Sequence, residues 1–287
     1  MAKNAGINSD PRSKGKLDLA TLFGLLLGVA GILGGLILEG GKFSDVSQVT
    51  AALIVLGGTA GAVMVTTPMS LLVAAVKKLP ALFWDSTVPP QAVIEQIIAF
   101  ASRARRNGIV SLEPDLDAIP DPFLRKALSL AVDGTDLQAL RQIMEVEIHL
   151  AERRGEAEAK VFESAGGYSP TIGIIGAVLG LIQVMKHLED IAVVGHGIAV
   201  AFVATVYGVG AANIVFLPAG NKLKLRLQHS LEIKELILEG VAGILEGLNP
   251  KLIRSKLEAF EHRDDKSRSL AEPRVKSAPS ARAAAAQ

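Results

Sequence analysis

The sequence predicts an all-α membrane protein: four transmembrane helices, a helical cytoplasmic domain between spans two and three, and a cytoplasmic C-terminal helix. Three observations predict it. Four long windows contain no Asp, Glu, Lys or Arg. The stretches between them carry helix caps and helical apolar periods, with no period-2 strand pattern. Lys and Arg gather at one set of span ends. The bulk composition agrees: mean hydropathy is +0.38 although 21% of the 287 residues are charged, so apolar and polar segments must alternate along the chain.

Residues 1–16 read as a disordered tail. Leu19–Leu38 is the first uncharged run, long enough as a helix to cross about 30 Å of hydrocarbon. It exceeds the usual length of a signal-peptide core and no A-x-A-like site follows it, so it reads as a retained span. Val49–Val76 is the second run, long enough to span and emerge, and closes a first membrane segment at 17–76.

Residues 77–163 are polar enough to fold in water. Pro89-Pro90 opens a helix with Val93, Ile94, Ile97, Ile98 and Ala101 on one face and Gly108 past its end. Asp121-Pro122 is a cap and first-turn pair for Phe123–Val132, closed by Gly134. "TDLQ" at 135–138 has the form of a capping box and starts a long helix that feeds into span three.

Ser164–Met185 and Ile191–Asn221 are spans three and four, within a second membrane segment at 164–221. Residues 222–262 continue as helix, with Leu223, Leu227, Leu231, Leu238 and Leu245 on one face and "LNPK" as a break. From 263 the chain turns to Ser, Ala, Pro, Arg and Lys and reads as a disordered tail.

Orientation follows from the basic residues. Lys3, Arg12, Lys14, Lys16, Lys77, Lys78, Lys222, Lys224 and Arg226 flank one side, whereas the two short connections on the other side hold only Lys42 and Lys186. Both termini are therefore expected in the cytoplasm.

Much chemistry is excluded. The net charge of +1 gives no field for nucleic acid, and the chain has no cysteine. Its five histidines show no zinc-ligand spacing. "GVGAAN" at 208–213 is a poor dinucleotide fingerprint inside a span, and there is no phosphate loop or nucleophile elbow. No enzyme activity, metal or cofactor is expected.

Three features remain. Small residues thin the spans: Gly24, Gly28, Gly31 and Gly35 in the first, Gly173, Ala177 and Gly180 in the third, Ala201, Thr205, Gly208 and Ala212 in the fourth. Such faces either pack the chain's own helices or receive a helix of another subunit beside a narrow water path. Pro170 and Pro218 bracket the inner ends of spans three and four, as kinks or as hinges. "SRARRNGIVSLEPD" at 102–115 ends a helix in three arginines and turns to Glu113 and Asp115, a charged tip that suits either the helix dipole or a docking partner. The spans hold polar Thr50, Thr59, Thr66, Thr67, Thr171, Gln183, Thr205, Tyr207 and Asn213 but no carboxylate. A proton relay through this chain would need its ionisable group from another subunit.

Several stretches in order carry a family resemblance: "LDLATLFGLLLG", "ALIVLGGTAGAVMV", "ARRNGIVSLEPDL", "DPFLRKALSLAVDGTD", "SPTIGIIGAVLGLIQVM", "AVAFVATVYGVGAANIVFLP" and "LEGLNPKLIRSKL". Together, over about Lys16 to Phe260, the chain resembles the MotA/PomA stator subunits of the bacterial flagellar motor. The resemblance implies a homo-oligomer, a pentamer, around a dimer of a MotB-like single-span partner in the inner membrane. That partner supplies the membrane aspartate, ion flow past it is converted to torque, and the cytoplasmic domain pushes on the rotor protein FliG. It places the rotor contact on Arg105 and Glu113, with Arg106 as an added charge, and the ion path and its coupling on Pro170, Ala177, Thr205 and Pro218. Sodium-type members carry threonine where this chain has Ala177, and Thr-Thr where it reads Ala204-Thr205, so protons are expected here. An ExbB/TolQ-like energy-coupling subunit is the alternative. A solute transporter would need a polar midplane site that the spans do not show.

Overall fold

The computed structural model describes residues 16–85 and 88–259; the two predicted tails lie outside these, apart from Lys16. Four helices are long and apolar enough to cross a membrane: Leu19–Leu38, Phe43–Thr66, and segments of Leu137–Lys186 and Ile191–Leu245. The chain is thus an all-α, multi-pass membrane protein.

Helix α1 (Leu19–Leu38) begins where the Asp18 carboxylate accepts from the Thr21 N–H at 3.1 Å, filling an otherwise orphaned donor. None of its residues is buried within the chain. After the short α2 (Phe43–Val46), span two runs as α3 (Val49–Ala52), a π-wound segment Leu53–Gly57 and α4 (Gly58–Thr66). The expected single run to Val76 is interrupted: Thr67 is extended before Pro68, whose ring disfavours helix in the preceding residue and which lacks an N–H. The chain restarts as α5 (Met69–Lys77), followed by a 3₁₀ turn, Pro80–Phe83.

One feature departs from the all-helical expectation. Lys16–Leu17 and Trp84–Asp85 form a two-residue antiparallel pair, β1 with β2. Strands this short show no alternation in sequence, so pairing of Lys16 with Asp85 and Leu17 with Trp84 could only come from the fold.

Next come α6 (Pro90–Asn107), a 3₁₀ segment Ile109–Ala118, and α7 (Pro122–Val132), capped by the Asp121 carboxylate on the N–H groups of Phe123 and Leu124 at 2.8 and 3.0 Å. Helix α8 (Leu137–Lys186) is one uninterrupted element of 50 residues with Pro170 inside it. Its cap is Asp136, which accepts from the Ala139 N–H, rather than the Thr135 of the expected capping box. Helix α9 (Ile191–Gly210) starts on the Asp190 cap, passes through a π-wound segment, Ala211–Phe216, and continues as α10 (Leu217–Leu245). A last helix, α11, covers 250–259.

The chain divides into two compact units. One contains Pro89–Arg141 and 235–259. Its core is Val93, Ile94, Ile97 and Ala101 of the predicted face of α6, with Phe100 added and Ile98 only half-buried, against Leu112, the buried side of α7, and Leu236, Ile237, Ile253 and Leu257. The absent side chain of Gly240 is filled by Ile97, 2.7 Å from where a Cβ would stand. The Glu239 carboxylate receives Arg141 at 2.7 Å and Lys256 at 2.7 Å. These hydrogen bonds, Arg141's first, hold Glu239 at about 2 against the opposing effect of burial.

The other unit contains 16–85, Val88 and 142–234. One cluster gathers Val63, Ala75, Leu82, Val161, Phe162, Ala165 and Ala219; a second gathers Ala51, Val55, Val203 and Ala204 beside Tyr207. Many of its large apolar side chains stay exposed, including Phe23, Leu26, Leu27, Ile174, Val178 and Phe202. Exposure of that kind suits hydrocarbon rather than water.

Candidate functional site: a carboxylate-free helix pair and a charged tip

Helices α8 and α9 approach backbone to backbone. A Cβ on Gly173 would stand 2.9 Å from the Ala204 carbonyl, one on Gly180 2.8 Å from both Ala201 N and the Gly197 carbonyl, and one on Gly208 2.6 Å from the Ser169 carbonyl. Gly176 meets Ala204 and Ile54. Of the two readings of the small faces, packing of the chain's own helices accounts for Gly173, Gly180, Ala201 and Gly208. Span one differs: Gly24, Gly28, Gly31 and Gly35 meet nothing within 4 Å.

Ala177, predicted to share the small face of span three, is only half-buried, at the rim of this contact and next to exposed Val178. Thr205 is half-buried on the opposing helix, its hydroxyl donating to the Ala201 carbonyl at 3.3 Å. Its Cα lies 3.5 Å from the space a Gly173 side chain would fill. Pro170 sits within α8 directly after Ser169, whose hydroxyl is fully buried without a partner. Pro218 is exposed in the first turn of α10, directly after the π-wound segment. Pro218 offers no N–H to its own preceding turn, and the wider π winding there changes which carbonyls go unmatched.

Other polar groups of the spans are used locally. The Tyr207 hydroxyl donates to the Val46 carbonyl at 2.5 Å and accepts from the Gln48 N–H at 3.3 Å, which ties α9 to the start of span two. Asn213 donates to the Val209 carbonyl at 2.9 Å. Thr59 is buried without a hydrogen-bond partner.

The charged tip is built at the end of α6. Gly108 has φ +82°, a conformation that L side chains rarely adopt, and it turns the chain from α6 into the 3₁₀ segment. The three arginines separate here. Arg103 pairs with Asp115 while both are largely covered, so this pair fastens the turn to the helix. Arg105, Arg106 and Glu113 are exposed on the same helix–turn unit. Arg106 leans back on the Ser102 carbonyl at 3.2 Å. Asp115, read from sequence as part of the exposed tip, belongs to its interior instead.

Two charged clusters escaped the sequence reading. Glu158 is 3% exposed and is held by Lys78 and, at 3.6 Å, by Arg154. Asp18 pairs with Lys222, which also reaches the Thr21 hydroxyl, while Arg226 stands 3.9 Å from the same carboxylate. Lys222, followed by the Thr21 N–H, lowers Asp18 to about 2. Partners 204 positions apart leave no local signal.

Comparison with known proteins agrees with this geometry. Residues 22–108 match the family model "Motility protein A N-terminal", and residues 115–236 match "MotA/TolQ/ExbB proton channel family". Motility protein A of Bacillus subtilis is 35% identical over 246 residues, 84% of this chain and 90% of that protein. The solved structure of C. jejuni MotAB superposes with a TM-score of 0.81 at 35% identity, over 85% of this chain and 96% of that one. The flagellar MotAB stator complex of Bacillus subtilis gives a TM-score of 0.77 at 34% identity, over 87% and 98%.

Proposed function

Because the chain belongs to the motility protein A family of flagellar stator subunits, which work with a MotB partner, we propose that it carries protons in the inner membrane. Both termini lie in the cytoplasm, and torque is delivered through the tip of α6. The observation that carries this reading is the tightly packed α8–α9 pair with no Asp, Glu, Lys, Arg or His between Ser164 and Met185 and, of these, only His196 in the fourth span. A proton crossing beside it must be passed by a group from another chain, the partner's membrane carboxylate. The Ala177 side chain offers no oxygen at the rim of that pair, and a sodium ion stripped of water needs several. Thr205 and the Pro170 and Pro218 segments are the remaining parts of the path and its coupling.

Arg105, Arg106 and Glu113 are the rotor contact, directed at FliG, because they present unpaired charge of both signs on a fixed turn. Charges so placed set orientation and encounter rate more than affinity. Several copies, five in the reading the resemblance gives, enclose a partner dimer. The ExbB/TolQ-like alternative is disfavoured by the match of residues 22–108 to the motility protein A model and by four spans rather than three.

The test is proton flux into cells and swimming in a strain lacking this protein and every paralogue. Expressed with its partner, the chain restores both. Expressed alone, or with a partner whose membrane aspartate is changed to asparagine, it restores neither. Flux from the chain alone would refute the reading, and swimming that requires sodium would refute the choice of ion.

A further inference from the structure

We propose that the cavity between α1 and the π-wound part of the fourth span holds an acyl chain of an anionic phospholipid. Its phosphate would sit on Lys222 and Arg226. The cavity measures 410 Å³, within the range of small-molecule sites, about 300–1,000 Å³. Its walls are apolar: Gly24, Leu25 and Gly28 of α1, with Leu82 and Phe83, line it together with Ile214, Val215 and Ala219. Asn213 is the polar group of these walls away from the mouth, and its amide is turned to its own helix. Such a lining excludes an ion or water path and favours a hydrocarbon chain.

The mouth is of another character. Lys222 and Thr21 line it, with Asp18 on Lys222 and Arg226 on Asp18. Arg226 is also anchored on the carbonyls of Ala81 and Leu82. Two fixed cations therefore meet one carboxylate, which leaves a net positive charge at the level where α1 begins. Basic pockets between transmembrane helices select anionic headgroups by this arrangement. From Ala20 to Gly28, α1 rises about 12 Å, enough to follow the upper part of an acyl chain. The π winding opposite supplies the irregular wall, a feature that recurs at functional sites. With the orientation proposed above, the lipid belongs to the cytoplasmic leaflet. The inference rests on membrane placement and not on ion flow.

The glycines supply the test. Gly24 and Gly28 line the cavity, and at each a Cβ meets nothing within 4 Å, so the side chains of G24L/G28L enter the cavity from a Cβ that fits without a clash. The full chain with its partner is purified in mild detergent, stripped of lipid, and offered phosphatidylglycerol or phosphatidylethanolamine while intact complexes are weighed by native mass spectrometry. We expect wild type to bind phosphatidylglycerol in preference. G24L/G28L should bind it about tenfold less at unchanged subunit stoichiometry, and K222Q should lose the preference between headgroups. Equal binding of both lipids by wild type and variants would overturn the proposal. So would efficient disulfide cross-linking between copies through Gly28→Cys, which would make the cavity an interface with a second copy. Neither readout uses swimming or flux, so failure here and failure of the stator reading are separate results.

Discussion

Arg103 and Arg105 stand two positions apart on α6 and do different work. Arg103 is committed to Asp115, so removing it leaves a buried carboxylate oxygen unpaired. Arg103→Ala should cost about 1–3 kcal/mol, read as a lowered thermal midpoint of the purified protein. Arg105 and Glu113 are exposed, and their reversal, R105E with E113K, should leave both the midpoint and the membrane level unchanged while reducing swimming torque. If torque survives that pair together with R106E, the tip is not the rotor contact. Ala177 is a matter of ligand oxygens. Ala177→Thr adds one beside a half-buried helix pair and should raise the dependence of swimming on sodium, measured as speed against sodium concentration at fixed pH. The sequence showed three arginines at a helix end and could not rank them, because the ranking depends on which one the returning turn covers.

At the scale of elements, the glycines of α8 and those of α1 have the same spacing and different environments. A Cβ on Gly180 would stand 2.8 Å from the backbone of α9, whereas one on Gly28 would meet open space. Gly180→Val must push α8 from α9 and should cost about 1–3 kcal/mol with loss of assembled complex, measured by size-exclusion chromatography of detergent extracts. Gly28→Ala should assemble as wild type. Small-residue spacing was legible in both spans. Which stripe is consumed inside the chain was not, because helical periodicity fixes a face and does not say what lies against it. The prolines show a similar limit. Pro68 ends span two, whereas Pro170 lies within an unbroken α8. The difference is context: a helix can run through proline where its neighbours hold the flanking turns, and Gly166 and Gly173 on either side of Pro170 pack against Leu217 and α9.

At the scale of the molecule, the unit made of Pro89–Arg141 and 235–259 is joined by side-chain ion pairs as well as by its core. Glu239 links Arg141 of α8 to Lys256 of α11, and Glu95 of α6 receives Arg254 of α11 at 2.5 and 2.8 Å. Arg254 holds Glu95 below its usual range. Glu239, at about 2 in the folded state against an ordinary 4.5, favours folding fully above pH 4.5. That contribution is lost as pH falls from 4.5 towards 2. The thermal midpoint of wild type should therefore fall steeply over that window, and Glu239→Gln should show a lower midpoint at pH 7 and a shallower fall. Equal acid sensitivity in the two proteins would remove Glu239 from the account. The amino-acid sequence alone determined the number of spans, the helical caps at Asp121 and Gly108, and the absence of carboxylates from the spans. These are one-dimensional quantities, set by runs of uncharged residues and by local hydrogen bonding. Only the tertiary structure decided that Asp18 meets Lys222, that Leu17 pairs with Trp84, that Glu158 is buried and paired with Lys78, and that the glycines of α8 close on α9 while those of α1 stay open. Each of these joins residues far apart in the chain, and its energy exists only once the fold has brought both partners together.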